Sequence, residues 1–110
     1  MAEIKVGDKN RSLLITPRVL DVWMKKHNLK FETIGEMDME QQSDLIWFAF
    51  ERGEKSKPEP LTKDQLENAM DTEQGFDIIR NFQKYMMEMM AKMSGVDDEK
   101  PKDQNTDPGN

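Results

Sequence analysis

The chain has 110 residues, enough for one small domain, and its charged fraction of 35% equals its hydrophobic fraction. A formal net charge of −6 argues against a non-specific nucleic-acid binder, which needs basic surface to displace counterions from phosphates. The absence of cysteine excludes disulfides and thiolate metal sites and suits a reducing compartment.

The first segment, "EIKVGDKNRSLLIT", alternates Ile4 and Val6 with polar residues, turns through Gly7, Asp8 and Asn10, and becomes apolar again at Leu13 to Ile15. It reads as a short β-hairpin or a loosely ordered arm over residues 1–15, since an isolated hairpin is marginal unless it packs on something. A helix then opens with Thr16 as N-cap and Pro17 at its first position. Leu20, Trp23, Met24 and His27 share one side of it, Asn28 stops it, and Leu29 and Phe31 continue as an apolar loop broken at Gly35.

Asp38 caps a second helix, with Gln41 in capping-box position. It carries "DLIWFAF", in which Met39, Ile46, Ala49 and Phe50 share a face, Leu45 and Trp47 flank it, and Phe48 points the other way. A helix apolar nearly all round needs cover on more than one side. Gly53 and the prolines of "ERGEKSKPEPL" are the expected stop. A third helix follows Thr62, answered by Gln65, with Leu61 stapled onto Leu66 and a narrow stripe of Leu66, Ala69 and Met70. Thr72 caps a fourth helix running from about Glu73 to Met93. The expected fold is therefore mainly α: a small four-helix domain over 16–93, with the N-terminal hairpin or arm before it. The last segment, 94–110, has five acids, two lysines and two prolines and is expected to be a disordered acidic tail.

The fourth helix holds the densest signal, "YMMEMMAKM", Tyr85 to Met93, with half of the chain's ten methionines. Ile79, Phe82, Met86, Met89 and Met93 follow at 3, 4, 3, 4 spacing, Met90 joins them, and Phe76 and Met87 widen one flank, Ile78 and Tyr85 the other. The apolar arc spans about 200°, where a surface helix needs little over 100° to join one core. Such a stripe can be core, a self-association seam or a recognition surface. For residues 76 to 85 the core reading is favoured. For the methionines at the helix end, recognition is favoured, because little of the domain remains there to cover them and methionine repacks against varied apolar partners.

Catalytic chemistry finds few candidates. The one histidine, His27, shares a helix face with Trp23 and reads as structural or half-exposed. There is no glycine-rich phosphate loop, and "DTEQGF" at Asp71 lacks the acidic positions of a calcium loop. No enzyme activity, cofactor or metal is expected. No apolar run approaches the ~20 residues of a membrane span and no signal peptide opens the chain, so a cytoplasmic protein is expected. A chain of this size buries only about 60–65% of its surface, so partners or a homo-oligomer are also expected.

The order "IKVGDK", "ITPRVLDVW", "DLIWFAFERGE", "PLTKDQLENAMD", then an amphipathic helix and a polar tail, resembles the tail assembly chaperones of long-tailed phages and prophages, over residues 3 to about 93. The nearest parts are Asp44 to Gly53 and Leu61 to Asp71. The resemblance implies a mostly helical protein of the host cytoplasm, absent from the finished virion. It would bind and solubilise the apolar, helical tape measure protein and help recruit tail tube subunits. The family often makes a longer product by frameshifting near the C-terminus. It supplies no catalytic residues and no fixed binding set.

From the residues, the expected partner-binding set is Phe48, Phe82, Met86, Met89, Met90 and Met93. Two other classes of function compete. One is a structural, connector or adaptor protein that self-associates through its last helix. The other is a helix-turn-helix regulator, which "LTKDQLENAMD", with one lysine against three acids, fits poorly as a recognition helix.

Overall fold

A computed structural model of the chain describes residues 2–93, the side chain of Met93 excepted, so the expected tail, 94–110, lies outside the described residues. The protein is mainly helical and opens with a two-stranded antiparallel hairpin, β1 (Ala2–Val6) and β2 (Lys9–Leu13), pairing Ala2 with Leu13 and Val6 with Lys9. Of the two readings of this segment, the hairpin is the one realised. Gly7 and Asp8 form its two-residue loop. Gly7 has φ +69° and Asp8 does not share a positive φ, the pattern of a turn that asks for glycine first. Ile4, Val6, Leu13 and, just beyond, Ile15 are buried, so the hairpin shares one core with the helices.

Helix α1 (Pro17–His27) starts as its sequence directs, with the Thr16 hydroxyl accepting from Val19 N at 3.1 Å. Asn28 ends it at φ 54°, a left-handed position that asparagine tolerates, and Lys25, Lys26 and His27 in the last turn oppose the negative end of the helix dipole. The expected loop after it is a 3-10 helix, Phe31–Glu36, with Ile34 turned into the core.

Helix α2 (Met39–Glu54) carries the expected capping box: Gln41 N donates to Asp38 at 2.8 Å and Asp38 N to the Gln41 side chain at 2.9 Å. Two expectations fail on this helix. Met39 is exposed, because the first turn projects beyond the core. Gly53 does not stop the helix but lies buried within it, pressed against the backbone of Ser12 and Leu13. Helix α3 (Lys63–Met70) has the Thr62–Gln65 box, with bonds of 3.0 and 3.1 Å, and buries Leu61 and Leu66 together as the staple requires. A tight turn, in which Thr72 accepts from Gln74 N at 3.2 Å, leads into α4 (Gln74–Met93).

β2 lies along α2, β1 faces α4 and α3, α1 packs on α2, and α3 on α4. Trp23, Phe50 and Phe82 are the largest side chains enclosed, and truncating any one to alanine costs about 3–5 kcal/mol. Polar ties hold the hairpin in place. Leu14 N donates to Ala49 O at 3.0 Å and Ile15 N to the Tyr85 hydroxyl at 3.1 Å, while Trp23 Nε1, donating to Gln41 O at 2.8 Å, ties α1 to α2.

The Gln74 amide closes the far end, accepting from Gly7 N at 2.8 Å and donating to Gly7 O at 3.0 Å. Gln74→Ala is expected to cost about 1 kcal/mol and to speed amide exchange at Gly7 and its neighbours in the turn, read by native-state hydrogen exchange.

Candidate functional site

Helix α4 divides its apolar arc between two environments. Ile78, Phe82 and Met86 are buried, with Tyr85 and Met89 half-buried beside them. Phe82 is 1% and Met86 8% exposed, so these two expected partner-binding residues belong to the protein's own core. Tyr85 is tied to Ile15 N just beyond the hairpin, and the side of α4 that carries it, with Ile78, Phe82 and Met86, faces the core.

The face left to solvent is the flank. Phe76 and Met87 are 72% and 74% exposed, the most exposed large apolar side chains of the described residues. Ile79 and Met90 are half-buried between this edge and the core, and Gln83 sits in the same row. The accessible stripe is therefore Phe76, Ile79, Met87 and Met90, whereas Met89 lies on the far side of the buried Met86 and Phe82. Of the expected set, Met90 and Met89 are reachable in part, and Met93 falls outside the described side chains.

Phe48 is half-buried on α2 and belongs to a different surface. It lines a groove of about 360 Å³ between α1 and α2 together with Val19 and Val22, and no residue of α4 contributes to it. The Lys26 ammonium stands 5.3 Å from the centre of the Phe48 ring. The structure thus separates Phe48 from the methionines with which the sequence grouped it.

A second concavity, about 540 Å³, opens between α2 and α3 beside the end of α1, with Trp47, Leu66 and Met70 among its walls. Three of its polar residues are engaged with one another. Asp44 bonds His27 Nε2 at 2.8 Å and Lys26 Nζ at 2.9 Å. Burial pushes the Asp44 carboxyl up, but the bonds and charges of Lys26 and His27 outweigh it and hold the group below its ordinary value. Asp44 is thereby an ionised tie between α1 and α2.

The most enclosed charge is Glu54, 0% exposed at the end of α2. It accepts from Ser12 N at 2.7 Å, Leu61 N at 3.0 Å, Arg11 Nη1 at 3.1 Å and Lys57 Nζ at 2.6 Å. Arg11 in turn donates to Glu59 O at 2.9 Å. Burial again pushes the carboxyl up, and the four donors more than reverse this, leaving it below its ordinary value. One carboxylate so binds β2, α2 and the loop entering α3. Glu54 itself is fully enclosed, while Arg11 and Leu61 also line a concavity of about 450 Å³ between the hairpin and α3.

Among the described residues, no group of three or more histidines and acids is placed to hold a metal ion, and no helix is long and apolar enough to cross a membrane. The functional candidates that the geometry leaves are two apolar surfaces, the α4 edge and the α1–α2 groove. Neither a protein-family model, a curated protein nor a solved structure matches the chain.

Proposed function

We propose that the protein is an assembly chaperone of the kind found in long-tailed phages, which holds apolar helical segments of a tape measure protein along α4 and keeps them soluble for tail assembly. The observation that carries this reading is the exposed edge of Phe76 and Met87, continued by Ile79 and Met90. An amphipathic partner helix recognises such an edge through anchors at i, i+3, i+4 and i+7. Methionine side chains adapt to whichever apolar residues the partner presents. The −6 charge keeps the protein itself soluble while it displays that edge. The resemblance of the sequence segments supplies the partner, and recruitment of tail tube subunits comes from the same source.

Co-expression with the longest apolar coiled-coil protein encoded beside its gene tests the reading. That protein is expected to be soluble only alongside this one and to co-purify with it. Replacing Phe76 and Met87 together by serine should abolish the rescue while stability changes by only about 0.5 kcal/mol, because both side chains are exposed. Rescue undiminished in that variant would rule out the α4 edge as the client site.

Self-association through the same helix is the second reading, favoured by one observation. Positions 76, 79, 83, 87 and 90 are spaced symmetrically about Gln83. An antiparallel pair of α4 helices would set Phe76 against Met90 and Ile79 against Met87 of a second copy. The same pairing brings Arg80 near Lys84 across the seam, a like-charge approach that weakens it. Sedimentation equilibrium of the free protein decides between monomer and pair.

A further inference from the structure

The α1–α2 groove carries a charge pattern at odds with the rest of the molecule. Its floor is apolar, formed by Val19, the half-exposed Val22 and Phe48. Its rim holds Arg18, Arg52 and Lys55 against a single acid, Glu51. The whole chain has 22 acids against 16 basic residues, so a three-to-one basic excess around one apolar groove is a local reversal. None of these three cations takes part in an ion pair among the described residues, so each is free to meet a ligand.

We propose that this groove is a second docking site, which takes an acidic amphipathic helix from another protein. The apolar side chains of that helix would lie on Val22 and Phe48, and its flanking carboxylates would meet Arg18, Arg52 and Lys55. The charge on the rim selects the sign of the ligand. The floor selects the class: an apolar strip between two helices receives a third helix through regularly spaced apolar anchors. A polyanion with no apolar face would leave the Val22 and Phe48 floor uncovered. Rim contacts of this type speed association and fix orientation, while the buried floor supplies most of the hold. The site is independent of the α4 edge, so the protein could hold a client on α4 and an acidic partner on α1–α2 together.

The test uses the full chain and a fluorescently labelled helical peptide with leucines at i, i+3, i+4 and i+7 flanked by glutamates. A matched peptide carries lysines in place of the glutamates. Fluorescence anisotropy at low salt should show saturable binding of the glutamate peptide, at least tenfold weaker binding of the lysine peptide, and loss of affinity as salt rises. Reversing the rim with Arg18→Glu and Arg52→Glu should invert the preference between the two peptides. These exposed changes leave the fold intact, as circular dichroism would verify. Phe48→Ser should weaken the glutamate peptide at least tenfold without inverting the preference.

Equal binding of both peptides, or a preference unchanged by the reversed rim, overturns the proposal. So does a single-stranded oligonucleotide that displaces the peptide from the same residues, since the ligand would then be nucleic acid. Tenfold tighter peptide binding when Asp97, Asp98 and Glu99 are neutralised to Asn, Asn and Gln would name the chain's own C-terminal segment as occupant. Self-association abolished by Arg52→Glu would name a second copy. Either result also overturns the proposal.

Discussion

Glu54→Ala is expected to destabilise the protein by about 3–5 kcal/mol, the usual cost of breaking a buried ion pair by removing one partner. A domain of about 90 residues has roughly 0.05–0.15 kcal/mol per residue in reserve, roughly 5–14 kcal/mol in all, so this one change takes up much of it. The loss is large because the carboxylate serves four donors at once. Without it, Ser12 N and Leu61 N have no acceptor, and the Arg11 guanidinium, itself 11% exposed, keeps an uncompensated charge. Leucine in its place does not help, since it offers nothing to the two backbone N–H groups. Glutamine retains part of the hydrogen bonding but neither charge interaction, and its cost should fall between wild type and alanine. Urea unfolding followed by circular dichroism gives the order.

The same group makes stability depend on pH. Its folded-state pKa lies below the ordinary value of 4.5, so between the two values the unfolded chain binds the proton more readily. The contribution is therefore complete above about pH 4.5 and is lost as the pH falls through the depressed folded value. Asp44, lowered from 3.8, adds a second contribution of the same sign, complete above about pH 3.8. Glu54→Gln should flatten the acid limb of the stability curve, and a limb unchanged in that variant would mean other carboxylates control acid unfolding.

Gly53→Ala is the second large effect. A Cβ there would lie 2.6 Å from Leu13 Cα and from Ser12 C and O. All three are backbone atoms of β2, which the pairing with β1 and the Leu14–Ala49 bond hold against α2. Neither side can rotate out of the way, so α2 and the hairpin must separate. Alanine gains about 1 kcal/mol of helix propensity over glycine, and the overlap outweighs it, giving a net loss of about 2 kcal/mol or more. Gly35→Ala provides the contrast: nothing lies within 4 Å of the added carbon, and stability should move by no more than about 0.5 kcal/mol.

These two neighbouring residues also show what could be read from the chain beforehand. The caps were legible, because Thr16, Asp38–Gln41 and Thr62–Gln65 act within one turn of their own helix. Gly53 and Glu54 were missed because glycine and charge in "ERGEKSKPEP" suggest an end. Yet they continue the i, i+1, i+4, i+5 pattern of Leu45, Ile46, Ala49 and Phe50, and extending it two more steps places both on the buried face. Burial of the acid itself depends on Arg11, more than forty residues away, and no local pattern announces that.

The candidate site divides in the same manner. The apolar arc of α4 was evident from its spacing, and its excess width implied two environments. Which flank stayed exposed was set by how the hairpin meets the helix, through Tyr85 to Ile15 and Gln74 to Gly7. Those contacts turn Phe82 and Met86 inward and leave Phe76 and Met87 outside. The helical wheel turns Phe48 away from the other apolar residues of α2, but only the packing of α1 shows the cationic groove around it.

Under the proposed function, a client helix lies along the outer edge of α4 and leaves the core side of that helix undisturbed. The methyl spectrum of the protein labelled at its methionine methyls, free and in the co-expressed complex, tests it most directly, since methionines stand on both sides of the boundary. Met87 and Met90 should shift on complex formation, while Met86 keeps its position, as should the distant Met24 and Met37. Shifts at Met86 with Met87 unmoved, or a client held with neither Met87 nor Met90 affected, would contradict the account.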